Sequence, residues 1–289
     1  MGLTDDVRAS CRAIAESARF VSIDLARLGE VEPAPPPVLD PERHYLDGPA
    51  EDVAAYLLTL DAINFGSGWF PTLRKRPGCS GYFTVAWALA DFFRSGRRWS
   101  NGELRALSAA EVAEVLGQDA DHELMGLYAE ALQSLGSFLG ERSALELVSE
   151  AGGSAERLAS MLTAMPFFDD AGFWKRAQIV PNDLALAGVA IFADLDRLTI
   201  FADNLVPHVL RVDGVLRYEP GLAARIDAGG VLAPGVEERE IRACAVHACE
   251  LIAARLGTPP RVLDTWLWNR GQAPEYKAIP RHRTRTVYY

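Results

Sequence analysis

The chain has 289 residues, of which 49% are hydrophobic and 24% are charged, a balance typical of globular proteins with a full-sized core. Its formal net charge of −10 at pH 7 argues against a protein that binds the nucleic-acid backbone, which needs a basic face, and is compatible with a small or cationic ligand. Four cysteines without a CxxC pair predict reduced, buried thiols, and the lack of a signal-peptide pattern or membrane-spanning apolar run predicts a cytoplasmic protein.

The first third of the chain is predicted to contain helices separated by two breaks. Apolar residues at helical spacing predict helices over residues 5–30, 48–65 and 81–96. The stretch EPAPPPVLDP, residues 32–41, predicts an extended surface connection, because proline removes a backbone donor and fixes φ. A small β-hairpin is expected near residues 74–84, with its turn between Gly78 and Gly81.

The rest of the chain is predicted to form further amphipathic helices, several of them preceded by a Ser or Asp N-cap. These helices are expected over residues 108–117, 121–141, 143–153, 154–165, 175–195, 235–257 and 259–271. The last eight residues, HRTRTVYY, predict an extended tail. The sequence therefore predicts a mainly α protein with a single domain over residues 1–289 and no internal repeat.

Four ionisable residues lie in apolar surroundings, where charged groups are rare unless paired. They are Asp61 in VAAYLLTLDAINF, Lys175 in FFDDAGFWKRAQIV, Asp203 in LTIFADNLVPHVLRVDG and Asp264 in RVLDTWLWNRG. Asp61 and Asp264 also fit helix ends, and Lys175 fits a stem laid over aromatic rings. Asp203 also fits a helix cap paired with Arg211. Pattern alone favours these structural alternatives, whereas several buried ionisable groups in one protein indicate a site without identifying its reaction.

Aromatic residues present a similar choice between core packing and ligand stacking. The candidates are Phe65, Trp69, Phe70, Trp266 and Trp268. The Gly-rich stretch GSGWF around Trp69 is more typical of a helix end followed by a turn than of a phosphate loop. The five histidines are not at metal-binding spacing, and the chain has no P-loop, dinucleotide fingerprint or GxSxG elbow, so no metal or cofactor is expected.

Several of these segments make the chain resemble the queuosine salvage protein family, whose members are also described as queuosine 5′-phosphate N-glycosylases. The matching blocks run from about residue 14 to the last residue and include IAESARFVSID, LDAINFGSGWF, FWKRAQIV, LTIFADNLVPHVLR, EIRACAVHACELI, LDTWLW and HRTRTVYY. The tail block and the FAD…VP block are the specific ones. Where the family has a short NFSFW-like run, this chain has Asn64 to Trp69 with extra glycines.

The resemblance implies a helical fold related to helix-hairpin-helix DNA glycosylases. It also implies hydrolysis of queuosine 5′-monophosphate, which releases the base queuine for insertion into transfer RNA. The paired Lys and Asp of the family correspond to Lys175 and Asp203. The GVG hairpin signature of the DNA-binding enzymes is absent, and LAGVA at 186–190 is the nearest stretch. That absence agrees with the acidic net charge and predicts no direct nucleic-acid binding.

The implied reaction gives these residues roles. Breaking an N-glycosidic bond builds positive charge on the ribose C1′, which a carboxylate stabilises, attacks or supplies with an oriented water. Asp203 is the candidate carboxylate, with Lys175 as its charge partner. Because queuine is a 7-deazaguanine, it cannot be activated by protonation at N7, so the carboxylate and contacts elsewhere on the base carry more of the catalysis.

The parts of this nucleotide suggest the substrate-binding candidates. The guanine-like edge needs a carboxylate acceptor, for which the alternatives are Asp61, Glu240 and Asp264. The ring of the base needs stacking partners, for which the candidates are Phe65, Trp69 and Trp268. Asn64, next to Phe65 in the sequence, is a further substrate-binding candidate. The 5′-phosphate needs basic donors, for which the candidates are His208, Arg211, His282, Arg283 and Arg285.

The main alternative function is a non-catalytic carrier of queuine or queuosine, with the same pocket and no turnover. A nucleic-acid base glycosylase would suit the related fold but not the charge. A helical scaffold with structural ion pairs is what composition alone would suggest. Cleavage of the nucleoside, the choice between covalent and water attack, and the oligomeric state stay open.

Overall fold

The computed structural model describes residues 2–31 and 35–289, and most of them lie in helices, which confirms the mainly α class. The helices of this described part are α1 Leu3–Ser17, α2 Ala50–Ala62, α3 Gly81–Arg94, α4 Asn101–Ala106, α5 Ala109–Leu116, α6 Glu123–Leu139, α7 Ala144–Glu150, α8 Ala155–Leu162, α9 Lys175–Leu186, α10 Leu205–Val212, α11 Pro220–Asp227, α12 Val236–Leu256, α13 Pro260–Arg270 and α14 Pro274–Lys277. None of the helices in the described ranges combines the length and apolarity that crossing a bilayer would need.

The short strands lie outside the segment near residues 74–84, where the sequence predicted a hairpin. They are β1 Val21–Ile23, β2 Leu216–Tyr218, β3 Val231–Leu232 and β4 Arg283–Thr284. β1 pairs with β2 in antiparallel register and β3 with β4 in parallel register, so both pairs join distant parts of the chain. The hairpin expected near residues 74–84 is wrong, because Ser80 accepts a hydrogen bond from the amide of Phe83 at 3.2 Å and caps α3.

Two predicted helices run nine or more residues past the observed helix ends. The helix predicted over residues 5–30 ends at Ser17, because the following chain turns into β1 and its amides at Arg19 and Phe20 donate to the carboxylate of Glu240. The helix predicted over 175–195 ends at Leu186. Residues 32–34 of the Pro-rich connection lie outside the described residues, and residues 35–40 form neither helix nor strand, as predicted for this connection.

Buried apolar side chains form two hydrophobic cores. The first core is built from α2 to α9 and the second from α1, the β1–β2 pair and α10 to α14. Trp174, just before α9, packs against both cores. Segments of both cores, including α9 and α13, therefore meet around one space, which is the cavity described below.

The tail after β4 forms neither helix nor strand and is held by the Gly-rich loop and by α9. The amide of Gly66 donates to the carbonyl oxygen of Tyr289 at 3.0 Å, and Arg176 donates to the carbonyl of Val287 at 2.6 Å. A Cβ on Gly68 would lie 2.4 Å from the carbonyl oxygen of Thr284, so only glycine allows the tail to pass this closely.

Candidate active site

A cavity of about 650 Å³ opens where the two cores meet. The loop after α2, the start of α3, one face of α9, the start of α10, the middle of α13 and the tail all contribute to its wall. Its polar wall includes Asn64, Lys175, Asn182, Asp183, Asp203, His208, Asp264, Arg281 and Arg283. Its aromatic wall includes Phe65, Tyr82, Phe83, Phe201, Trp268 and Tyr289. This volume suits a ligand of nucleotide size.

Lys175 is the first residue of α9, and its ammonium group is buried in the wall. The side chain donates to the carbonyl oxygen of Asn64 at 2.9 Å and to its Oδ1 at 3.2 Å. Burial lowers the pKa of Lys175 to about 8, and the negative charge of Asp203 opposes that change. The preceding Trp174 has φ 53°, a left-handed conformation that is strained for a residue with a side chain. The chain thus aims this ammonium inward from a strained turn.

Asp203 is half-buried in the wall, just before α10. Its Oδ1 accepts from the amide of Leu205 at 2.8 Å and from the amide of Val206 at 3.0 Å. The helix cap considered from the sequence is therefore present, and the same carboxylate also lines the cavity. The expected pairing with Arg211 is wrong, because Arg211 makes a two-pronged ion pair with Asp227.

Asp264 lies in the middle of α13 rather than at its start, so it is not the N-cap that its sequence context allowed. The carboxylate is 5% exposed and accepts from the amide of Phe201 at 2.8 Å. Burial raises the pKa of Asp264, and the nearby negative charge of Asp203 raises it further. Asp264 therefore holds a proton more readily than an exposed aspartate does.

A second acidic pair involves a residue that the sequence analysis missed. Asp183 lines the cavity from α9, and its Oδ1 accepts a hydrogen bond from the side-chain nitrogen Nδ2 of Asn182 at 3.0 Å. Burial raises the pKa of Asp183 to about 6. Asp61 lies behind Asn64, which donates to its Oδ1 at 3.4 Å. Burial, and then the charge of Asp183, raise the pKa of Asp61. Asp61 is close to the site but does not line the cavity.

Helical spacing could have identified Asp183. The residues of α9 that line the cavity are Lys175, Ile179, Asn182, Asp183 and Leu186. They recur at three- and four-residue intervals, so they share the face that carries Lys175.

The aromatic wall is formed mainly by α3 and α13. Trp268 makes edge-to-face contacts with Tyr82 and Phe83, with ring centroids 5.5 and 5.4 Å apart. The hydroxyl of Tyr82 lies 3.0 Å from Nε2 of His44. Phe65 also lines the cavity, with one edge packed on Tyr128. Tyr82 and Phe83 were not identified from sequence, because they were assigned to the strand-like start of a helix.

Arg281 and Arg283, near the end of the chain, also bring guanidinium groups to the wall. Arg283 lines the cavity and donates to the carbonyl of Gly229 at 2.7 Å. Arg281, which the sequence analysis missed, lines it as well, and burial lowers the pKa of this guanidinium, against the nearby charge of Asp203. His208 reaches the wall from α10, with Nε2 donating to the carbonyl of Tyr276 at 2.8 Å.

The structure does not bring six of the expected residues to the cavity wall. They are Trp69, Arg211, Glu240, His282 and Arg285, and Asp61, which lies behind Asn64, is the sixth.

Besides Asp61, whose contact with Asn64 is given above, each of the other five residues has another environment. Trp69 donates from Nε1 to Glu123 at 2.7 Å, and Arg285 pairs with the same carboxylate on the surface at 3.2 Å. Arg211 and Glu240 make the contacts described above. His282 is buried behind the wall, where burial lowers its pKa to about 3, so it stays uncharged at neutral pH.

Comparison with known proteins identifies relatives along the whole chain. A family model described as "Queuosine salvage protein" matches residues 43–289. A protein of Sphaerobacter thermophilus is 34% identical over 98% of this chain and 97% of its own length. Proteins of Bos taurus and Mus musculus are 30% and 28% identical over 98% and 100% of this chain, and over the same shares of their own lengths. All three relatives are named queuosine 5′-phosphate N-glycosylase/hydrolase.

Proposed function

The chain belongs to the queuosine salvage protein family, and we propose that it is an N-glycosyl hydrolase that cleaves queuosine 5′-monophosphate and releases queuine. One observation carries the proposal: Lys175 and Asp203 line the same cavity, and the charge of Asp203 acts on the buried ammonium. Such a pair in an enclosed, nucleotide-sized space suits a reaction that develops positive charge on a sugar carbon.

Asp203 is the group proposed to act at C1′. When the bond from C1′ to the base nitrogen breaks, its electron pair leaves with the base and positive charge develops on the ribose. Oδ1 of Asp203 is already held by two backbone amides, which leaves Oδ2 for the sugar. This oxygen either bonds to C1′ and is later displaced by water, or it orients the water that adds to C1′. Both routes need a carboxylate in a fixed position.

The departing base must also gain a proton, and Asp264 is the group proposed to supply it. Asp264 lines the same cavity as Asp203, and its pKa, raised by burial and by the charge of Asp203, suits a proton-bearing acid. Asp183 lines the cavity from the face of α9 that carries Lys175. We assign Asp183 to the guanine-like N–H edge of the base, a role for which a carboxylate acceptor is suited. Trp268, Tyr82 and Phe83 are the proposed stacking surface.

The 5′-phosphate is assigned to the tail. Arg281 and Arg283 both line the cavity, and guanidinium groups pair with phosphate through two parallel hydrogen bonds. Lys75 and Lys277 are exposed residues at the same cavity and add positive charge near solvent. Arg285 is excluded from this role, because it pairs with Glu123 on the surface.

Two broader properties form part of the proposal. We propose a single domain over residues 1–289, because Trp174 packs against both cores. We also propose that the enzyme acts in the cytoplasm on a free nucleotide, without direct nucleic-acid binding. Free thiols at all four cysteines, three of them buried, support the first part, and the net charge of −10 supports the second.

A substrate panel tests the proposed function. The purified protein is incubated separately with queuosine 5′-monophosphate, queuosine, guanosine 5′-monophosphate and queuosine-containing transfer RNA, and free base is followed by mass spectrometry. Many equivalents of queuine from the monophosphate, and no base from transfer RNA, are expected. Tight binding without release would instead identify a carrier, and release from transfer RNA would identify a nucleic-acid glycosylase.

A further inference from the structure

A buried ion pair joins the two chain segments that carry Lys175 and Asp203, and we propose that this pair, Arg242 with Asp170, positions both groups for the reaction. The inference rests on the function proposed above. Neither Asp170 nor Arg242 lines the cavity, so both act through the residues that they hold.

Asp170 fixes the turn from which Lys175 emerges. Its carbonyl oxygen accepts from the amides of Phe173 at 3.0 Å and Trp174 at 2.8 Å. Its carboxylate oxygen Oδ2 accepts from the amide of Lys175 at 3.4 Å. These contacts close the turn around the left-handed Trp174, so the direction of the Lys175 side chain depends on the position of Asp170.

Arg242, on α12, fixes the other segment at the same time. Its two terminal nitrogens donate to the two carboxylate oxygens of Asp170, and its Nε donates to the carbonyl oxygen of Ala202 at 2.9 Å. Ala202 immediately precedes Asp203. One rigid, planar guanidinium therefore sets the spacing between the Lys175 turn and the Asp203 segment.

The guanidinium of Arg242 is buried and packed between aromatic rings, which restricts its orientation. The side chain is 2% exposed, lies 3.9 Å from the ring centroid of Phe173 and 4.7 Å from that of Tyr289, and also contacts Glu238 at 3.4 Å. Burying an ion pair costs solvation, which often cancels its gain in stability. Stability alone is therefore a weak reason for this pair, whereas a fixed distance between two reacting groups is a strong one.

Kinetics of two variants test the positioning role. Arg242→Lys keeps the charge, but one ammonium cannot replace the planar fork that reaches both segments, and Asp170→Asn weakens the same link from the other side. Asp194→Asn is the matched control, since Asp194 accepts from the amide of Ala155 at 2.6 Å and lies away from the cavity. We expect kcat to fall by about 10–100-fold in Arg242→Lys and Asp170→Asn, KM to change less than about threefold, and the control to keep both. A folded Arg242→Lys variant with unchanged kcat, or one changed only in KM, would overturn the proposal.

A second readout does not depend on turnover. The chain has three lysines, so ¹³C labelling at lysine Cε gives three signals in the wild type and four in Arg242→Lys, and Lys175→Met made in each background assigns the one of interest. The charged groups that act on Lys175 include Asp203, Arg176, Asp61, Asp264 and Asp183, and none of them is altered in Arg242→Lys. Burial is the largest influence on the pKa of Lys175, so a loosened turn that admits water should raise this pKa from about 8 towards its ordinary value.

The two readouts separate the two proposals. If the wild type releases no queuine, the proposed function fails, and the lysine titration still decides whether Arg242 holds the site. An unchanged pKa of Lys175 in Arg242→Lys contradicts the positioning role even when the wild type is active. A raised pKa in Arg242→Lys, with none in Asp194→Asn, supports it.

Discussion

The negative charge of Asp203 raises the pKa of Lys175, in opposition to the burial that lowers it to about 8. The two groups line one cavity, although the hydrogen bonds of the ammonium go to Asn64 and those of the carboxylate go to backbone amides. The pair is therefore held apart by separate partners rather than joined as a closed salt bridge. Both charges therefore line the cavity without neutralising each other in a direct contact, as the proposed reaction at a sugar carbon requires.

The buried ammonium makes a prediction about stability. The pKa of Lys175 is about 8 in the folded protein and 10.5 ordinarily, so between these values the unfolded chain binds more protons and stability rises with pH. Relative to Lys175→Met, the wild type should therefore gain stability as the pH rises from 8 to 10. Urea denaturation at several pH values measures this difference. Ile179→Met, on the same helix face, controls for packing, and a pH-independent difference for Lys175→Met would contradict the burial of a charged amine.

Asp183 makes the opposite prediction. Its pKa of about 6 in the folded protein lies above the ordinary 3.8, so the wild type loses stability as the pH rises through this range. Asp183→Asn removes this penalty and should be more stable than the wild type at pH 8, by on the order of 2 kcal/mol, with no advantage near pH 4. Denaturation at the two pH values measures the change. Activity should fall in the same variant, because the base loses its carboxylate acceptor, and equal stability at pH 8 would count against a buried, ionised Asp183.

Arg281 and Arg285 provide a matched pair of variants for testing phosphate recognition. Arg281 lines the cavity, whereas Arg285 pairs with Glu123 on the surface. Arg281→Ala should raise KM for queuosine 5′-monophosphate by about 10–100-fold, the value of a charge-assisted hydrogen bond, and should change any activity on queuosine much less. Arg285→Ala should leave both unchanged. Steady-state kinetics on the two substrates decide the assignment, and equal effects of the two variants would place the phosphate elsewhere.

The helical class was predictable because long segments such as α6 and α12 keep a regular apolar spacing. Boundaries were less predictable where a distant residue decides them. The carboxylate of Glu240, far along the chain, accepts hydrogen bonds from the amides of Arg19 and Phe20, which follow the end of α1. The run after Gly81 contains β-formers, but the cap from Ser80 makes it a helix.

The site was partly predictable from ionisable residues in apolar surroundings, which included Lys175, Asp203 and Asp264, and the resemblance then paired the first two. The structure brings all three to one cavity. Trp69 and Arg285 lie within family blocks as well, but both contact Glu123 instead of the cavity, and sequence spacing cannot indicate that contact. Asp183 was missed because no aromatic residue lies beside it in the sequence. Only the helix face that it shares with Lys175 indicates its position at the cavity.

Asp203→Asn gives the most direct test of the central claim. The amide oxygen can still accept from Leu205 and Val206, so the cap, the fold and substrate binding should persist, while the charge at C1′ is lost. Asp194→Asn is the control, because Asp194 also accepts from two helix amides and lies away from the cavity. Queuine released from queuosine 5′-monophosphate is measured over many turnovers. We expect Asp203→Asn to lower kcat by about 10³-fold or more with near-normal binding, and the control to keep full activity. A folded Asp203→Asn protein that turns over at the wild-type rate would contradict the proposed role of Asp203.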